Sequence, residues 1–324
     1  MFLAHPPGRP PAEVTSTTES ESAAWLDLLN PTEEEHARAE RLTGLRLPTR
    51  AEIEEIESSS RVYMEEQTFY LSTPLVRRID NLSFTAPVGF VLSTDRLVTI
   101  RYTDYPVFEM VSTRIARQAA PHNAEDTMVL LLEAVIDRIA DLLEACGHDL
   151  DQISKRVFHS QDETGGNVDR RLRSLLMDVG RQTDLVSSVR DSLLGLQRVI
   201  LYIGENGERP CKQRFGARLN LLSKDIASLN DYDGQLNNKV QFLLDATLGF
   251  INIEQNNGIK ILTVVSIVGI PPTLIASIYG MNFKNIPELN WSFGYWYALG
   301  LMAATIVLPM IWFWRKGWLG GRQG

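Results

Sequence analysis

The chain has 324 residues, 40 of them Asp or Glu and 32 Lys or Arg, for a formal net charge of -8. This acidic balance, without a basic stripe interleaved with aromatics, argues against nucleic acid, whose binding leans on Lys and Arg neutralising phosphates. Cys146 and Cys211 are far apart and lack CxxC spacing, so they read as reduced, structural thiols of a cytosolic compartment rather than a disulfide framework or zinc ribbon. No nucleophile–base pair, HExxH or P-loop is present, and His5, His36, His122, His148 and His159 stand isolated, so an enzyme is not expected.

The opening MFLAHPPGRPPAEVTSTTESES has no basic-then-apolar leader, so no signal peptide is expected. Its Pro, Ser, Thr and Glu content predicts a disordered lead-in over residues 1–23. Residues 24–120 read as a small mixed α/β unit. Residues 24–29 form a strand, and Pro31-Thr32 opens a helix with Thr32 and Glu35 spaced as a capping box. A short helix follows Pro48, over 51–57. Residues 61–71 and 89–101 carry β-branched and aromatic residues in strand patterns, with Thr94-Asp95-Arg96 as a turn.

Over residues 121–209 the period changes to that of helices. Met128, Leu131, Leu132, Val135, Ile139, Leu142 and Leu143 recur every three to four residues, behind Asn123 as N-cap. Gly165-Gly166-Asn167 is a break, and a second helix runs over 168–203 to a close at 204–207. No proline then occurs between Pro210 and Pro271, which predicts a stalk helix over 210–260 continuing into the first apolar run, roughly 90 Å in all. Leu219, Leu222, Ile226, Leu229, Leu236, Val240, Leu243 and Phe250 form a heptad seam interrupted by Asp233 and Thr247. The seam packs either against helices of the same chain or against another chain.

Residues 261–278 carry no charge and are about long enough to cross ~30 Å of hydrocarbon. Residues 296–314 form a second such run, with Trp291, Tyr295, Trp296 and Tyr297 at one end and Trp312, Trp314 and Trp318 at the other, as interfacial belts. The expected spans are 261–282 and 296–314, joined by an external loop over 283–295. Lys260, Arg315, Lys316 and Arg322 place both outer ends, and the tail 315–324, in the cytoplasm by the positive-inside rule. Pro271 and Pro272 interrupt the first span, so the carbonyls they orphan are expected to be buried against another helix or to line a cavity.

Asn256, Ile259, Leu262, Ser266, Ile270, Thr273 and Ser277 share one face of that span. Two helices cannot enclose a pore, but a symmetric ring of chains can, each contributing such a face. Hydroxyls and amides there suit a hydrated ion, and Ile259 and Leu262 suit a constriction that gates by dewetting. The other reading is that Ser and Thr bond back to helix carbonyls or glue helices together.

Tyr279-Gly280-Met281-Asn282-Phe283 ends the first span, Pro287-Glu288-Leu289 follows, and RKGWL closes the second. This arrangement resembles the CorA family of magnesium and cobalt transporters, and the segments WLDLLNPTEEE and LDQISKRVF extend the likeness more weakly over most of the chain. The resemblance implies a homopentameric funnel: an α+β cytoplasmic domain, a long stalk helix and two C-terminal transmembrane helices, set in a bacterial-type inner membrane. It implies transport of divalent cations, chiefly Mg2+ and also Co2+ and Ni2+, with no cofactor beyond Mg2+ as cargo and regulatory ion. By the same resemblance Gly280, Met281 and Asn282 form the outer filter, Asn256 and Thr273 are polar pore positions, and Glu288 adds charge at the entrance. An amide suits Mg2+, which gives up its first-shell water reluctantly.

The chain departs from the family pattern at Lys284, a cation in the outer loop, and its tail is less basic. Where the family's stalk carries a regulatory carboxylate this chain has Leu221, with Asp225 nearby and Asp80 as the candidate on a facing domain. Two other functions stay open: a zinc transporter of the related ZntB branch, and a non-conducting membrane-anchored coiled-coil scaffold. Beyond Cys211 the chain has neither Cys nor His, which excludes a direct thiolate or imidazole zinc site in the membrane but not passage of hydrated Zn2+.

Overall fold

The computed structural model describes residues 1–14, 23–55, 57, 61–80, 82–117, 123–158, 167–206, 209–282 and 287–318. Two units are distinguished, one of Met1–Thr164 with Arg173–Asp245 and one of Gly165–Leu172 with Ala246–Gly324.

In the first unit the described residues form a seven-stranded sheet in the order β2-β1-β3-β7-β6-β5-β4. The strands are β1 (Phe2–Ala4), β2 (Ala12–Glu13), β3 (Trp25–Leu29), β4 (Val62–Glu65), β5 (Thr68–Ile79), β6 (Leu82–Leu92) and β7 (Leu97–Arg101). β3 and β7 run parallel, with Trp25 opposite Leu97 and Leu29 opposite Arg101; the other neighbours are antiparallel.

The expected disorder of residues 1–23 needs correction. β1 pairs with β3, Phe2 facing Leu28 and Ala4 facing Leu26, and both Phe2 and Ala4 are buried. Three residues that alternate inward suffice to join an existing edge. Averaging over the Pro-, Ser- and Thr-rich segment behind them hides that signal. Residues 15–22 of the expected lead-in lie outside the described residues.

Helices α1 (Glu33–Thr43) and α2 (Arg50–Glu54) cover one face of the sheet. Thr32 caps α1 as its spacing foretells: its Oγ1 accepts from the Glu35 N–H at 3.2 Å, and the Thr32 N–H donates to Glu35 Oε2 at 2.9 Å. Thr49 and Glu52 repeat the device on α2, each box satisfying two otherwise orphaned donors. Leu26, Leu28, Ala39, Leu47, Ile53, Val98 and Ile100 form the core on this side. The alternate residues of β3 point the other way, where Trp25 meets Phe108 of α3 (Pro106–Arg117) at 6.2 Å between ring centroids.

The β5–β6 hairpin runs on well past its neighbours. β4 pairs only as far as Leu71 and β7 only as far as Val88. Pro74 and Pro87, which face each other across the hairpin, fall just beyond those limits. A proline has no N–H for a further strand, so the two residues mark where the wide sheet stops.

Helices α4 (Ala124–Phe158), α5 (Asn167–Asn206) and α6 (Arg209–Tyr279) follow. Asn123 Oδ1 accepts from the Asp126 N–H at 2.7 Å, the expected N-cap of α4. Leu219, Leu222, Ile226, Leu236, Val240 and Leu243 of the seam are buried within this chain. Ion pairs flank the seam: Arg190 of α5 with Asp233 at 2.8 Å, Glu133 of α4 with Arg218 at 2.8 Å, and Asp151 of α4 with Lys239 at 2.7 Å. α6 is a single helix of 71 residues, so the expected stalk and first span are one element.

Candidate membrane-embedded site

Among the described residues two helices are long and apolar enough to cross a membrane, α6 through its C-terminal part and α7 (Gly294–Arg315). Their apolar side chains are open: Leu262 is 67% exposed, Ile270 63% and Trp296 72%. Water would penalise such a surface at ~25 cal/mol per Å2, and hydrocarbon does not. The aromatic belts cluster at both ends of α7, with Tyr295 and Trp296 5.7 Å apart and Phe313 and Trp318 5.3 Å apart.

Pro271 and Pro272 lie inside α6 without ending it. They deprive the carbonyls of Ile267 and Val268 of their usual N–H partners. Val264, Val268, Pro271, Pro272 and Ile275 are half-buried, whereas Ile270 and Leu274 are exposed. The prolines thus sit on the covered side of the span.

The predicted stripe lies on the open side. Asn256, Ile259, Leu262, Ile270, Thr273 and Ser277 are exposed, and Ser266 is half-buried. Its hydroxyls bond back along the helix: Ser266 Oγ donates to the Leu262 carbonyl, Thr273 Oγ1 to that of Gly269 and Ser277 Oγ to that of Thr273, each at 2.8 Å. Back-bonding does not remove these groups from ion chemistry. A hydroxyl has one proton and two lone pairs; with the proton turned into the helix, the oxygen is an acceptor, which is what the water shell of a cation requires. Thr263 does the same to Ile259 at 2.8 Å. It was missed among the stripe residues although it stands four from Ile259 and three from Ser266.

At Tyr279 the helix ends, with the Gly280 N–H donating to the Ala276 carbonyl at 2.9 Å and Met281 to Ile278 at 3.3 Å. A β-carbon on Gly280 would lie 3.0 Å from the Ala276 carbonyl oxygen, so the tight exit favours glycine. Met281 and Asn282 beyond it are exposed. Glu288 belongs to a single 3-10 turn, Pro287–Asn290, its side chain outside the described residues, as is Lys284 altogether.

The two regulatory candidates lie in the first unit. Asp80 takes a left-handed backbone, φ 48°, in the β5–β6 turn. Asp225 is an exposed residue of α6 whose charge helps to raise the pKa of Asp137, after burial and Glu133 and Asp141. Among the described residues no three His, Cys, Asp or Glu side chains gather as a metal-ready group.

An α/β domain, one helix continuous from it into an apolar run and a second, aromatic-belted apolar helix define the class of two-span membrane proteins. The family model described as CorA-like Mg2+ transporter protein matches residues 20–316. The chain belongs to that family. It is 36% identical over 309 residues to the magnesium transport protein CorA of Yersinia pseudotuberculosis, covering 95% of each chain. Its fold matches the complete structure of the CorA magnesium transporter from Methanocaldococcus jannaschii with a TM-score of 0.70 at 19% identity, covering 98% of this chain and 99% of that one. The cytoplasmic domain of ZntB from Vibrio parahaemolyticus also matches in fold, TM-score 0.56 at 12% identity, over 78% of this chain and 97% of that domain.

Proposed function

We propose that the protein is a homopentameric channel for hydrated divalent cations, chiefly Mg2+ and also Co2+ and Ni2+, in a bacterial-type inner membrane with both termini cytoplasmic. The observation that carries this reading is the exposed stripe of α6 leading to Gly280-Met281-Asn282. Five copies of the stripe enclose a path whose hydroxyl oxygens accept from the ion's first-shell waters. Asn282 binds the hydrated ion at the outer mouth through its amide oxygen. An amide attracts the shell without the tight hold of a carboxylate ring, so entry and release both stay fast. Glu288 adds charge at the entrance, and Ile259, Leu262 and Ile270 provide the apolar constriction. The electrochemical gradient drives the flux. Asp80 and Asp225, facing each other across neighbouring copies, sense cytoplasmic Mg2+ and gate the path.

The test is flux of Mg2+, Co2+ and Zn2+ into proteoliposomes, wild type against Asn282→Ala. Mg2+ flux is expected to fall at least about tenfold, a loss of roughly 1.4 kcal/mol or more. Mg2+ uptake that stayed unchanged, with unchanged block by an inert hexa-coordinate analogue, would remove Asn282 from the filter. The fold likeness to a ZntB domain keeps a second reading, zinc transport. Zn2+ flux coupled to a proton gradient without Mg2+ flux selects it, and no ion-dependent flux at all leaves only a scaffold.

A further inference from the structure

The seam that α6 presents to α4 and α5 is apolar at Leu219, Leu222, Ile226, Leu236, Val240 and Leu243, all buried. Asp233 is the exception on the same seam, and its side chain is only 1% exposed. Its Oδ2 accepts from Arg190 of α5 twice, from Nε at 2.9 Å and from Nη2 at 2.8 Å. Its Oδ1 is buried and has no hydrogen-bond partner among the described residues.

This pair is a poor stabiliser. One oxygen holds the guanidinium, while the other is desolvated without return, which costs free energy. Burial lifts the Asp233 pKa above the ordinary carboxylate value, although the hydrogen bonds and charge of Arg190 pull it down. The native chain therefore holds this proton more tightly than the unfolded chain does. The ionised carboxylate subtracts stability near neutral pH, and the loss is recovered on acidification. An apolar side chain of similar size in place of a buried ionic one is often neutral or stabilising.

What the pair supplies is position. Apolar residues at heptad spacing are nearly degenerate to sliding by a turn or a heptad, and a polar residue among them selects one register. Sliding α6 by one turn against α5 would set Leu229 or Leu236 against Arg190, and sliding by a heptad would set Ile226 or Val240 there. Each slip carries the carboxylate away from its cation, a loss of the kind that follows breaking a buried pair. The fit is close at this height. A β-carbon on Gly147 of α4 would lie 2.5 Å from the Tyr232 hydroxyl oxygen and 3.5 Å from Leu236. The flanking pairs Glu133–Arg218 and Asp151–Lys239 discriminate less, since their carboxylates are partly open to water.

We propose that Asp233, held by Arg190, is the register key of α6. It fixes the axial position of that helix against α5, and α6 continues from there into its apolar run. The consequence for flux rests on the channel reading: a stalk without a fixed register passes the cytoplasmic Mg2+ signal on less faithfully.

The full chain in detergent, labelled at isoleucine methyl groups, reports register by NMR, because Ile226 is buried in the seam one heptad before Asp233. Wild type is expected to give one Ile226 resonance, identified by its loss in Ile226→Val. Asp233→Leu is expected to unfold at the wild-type temperature or higher and yet to split that resonance. Asp233→Asn keeps an acceptor for Arg190 and is expected to keep it single. In proteoliposomes Asp233→Leu should need about tenfold or more Mg2+ on the cytoplasmic side for half-inhibition of flux. A single Ile226 resonance in Asp233→Leu overturns the register key, whatever the flux does. A lower unfolding temperature for Asp233→Leu does the same, because the pair would then be a stabiliser. A split resonance with unchanged Mg2+ inhibition overturns the link to gating. A split resonance in a protein whose wild type passes no Mg2+ upholds the key and removes the channel reading instead.

Discussion

The two units use one alphabet for two solvents. In the first, Phe2, Trp25, Phe90 and Phe108 are almost wholly buried, and the charged Asp27 and Arg101 go in with them as a pair. In the second, Ile259, Leu262, Ile270 and Trp314 are each more than 60% exposed, and the polar side chains of the span are uncharged and tied to their own helix. The first unit builds its core within one chain. The second leaves its surface to be completed by lipid and, on the proposed reading, by further copies of itself.

That contrast predicts that substitutions inside the first unit act on stability and those on the open stripe act on flux. The largest effect is expected at Asp27. It accepts from Arg101 Nη2 at 2.8 Å and from Thr99 Oγ1 at 2.6 Å, with a side chain 1% exposed. Asp27→Ala leaves the buried guanidinium with Asp104, 68% exposed, as its remaining carboxylate at 2.9 Å, and thermal unfolding should record a loss of about 3–5 kcal/mol. A loss below ~1 kcal/mol would mean that Arg101 finds water, and the unit is less self-contained than it looks.

Next comes His5, stacked on Trp25 at 3.9 Å and held by Ser112 at 2.8 Å. Burial pushes its pKa down to about 4, with Asp27 pulling upward and Arg101 downward. The native protein therefore takes up this proton later than the unfolded chain does. Stability is full above about pH 6.5, declines as the pH falls, and levels off below about pH 4, a span worth up to about 3 kcal/mol. His5→Phe should flatten that part of the stability–pH curve.

A smaller loss is expected at Gly195, where a β-carbon would collide with Thr73 and Pro74 of β5. Gly195→Ala should cost about 1–3 kcal/mol. Smallest on this scale is Leu262→Ser on the open stripe, expected within about ±0.5 kcal/mol of wild type in the unfolding of the first unit. Its effect should appear as raised basal Mg2+ flux in proteoliposomes. A large stability loss there, with flux unchanged, would contradict the assignment of that face.

What the sequence made legible was mostly local. The Thr32 box, the Asn123 cap and six of the eight apolar residues of the α6 seam depend on spacings of a few residues, and the structure bears them out, while Leu229 is half-buried and Phe250 exposed. What it hid was pairing at long range. The Asp27–Arg101 pair joins residues 74 apart through the parallel β3–β7 contact. β1 shows its strand character only once β3 offers an edge. The β5–β6 hairpin past residue 73 contains two prolines that locally argue against a strand and are admitted because no further strand lies beside them. At the site, the stripe and the Gly280-Met281-Asn282 exit could be found from spacing and motif. The direction of the hydroxyl protons was one of two open readings from sequence, and it is settled by each side chain bonding back along its own helix.

The far end of α7 has a consequence of another kind. Gly317, at φ 74°, turns the chain so that the Trp318 N–H reaches the Phe313 carbonyl at 3.0 Å, while the two rings stack and Lys316 lies 5.6 Å over Trp312. This closed cap fixes where the helix stops, and its 22 residues rise about 33 Å. The protein thereby carries its own measure of membrane thickness. In bilayers of short acyl chains that length must be taken up by tilt at a modest cost per ångström, so lipid chain length becomes a variable that acts on the span without any binding site for it.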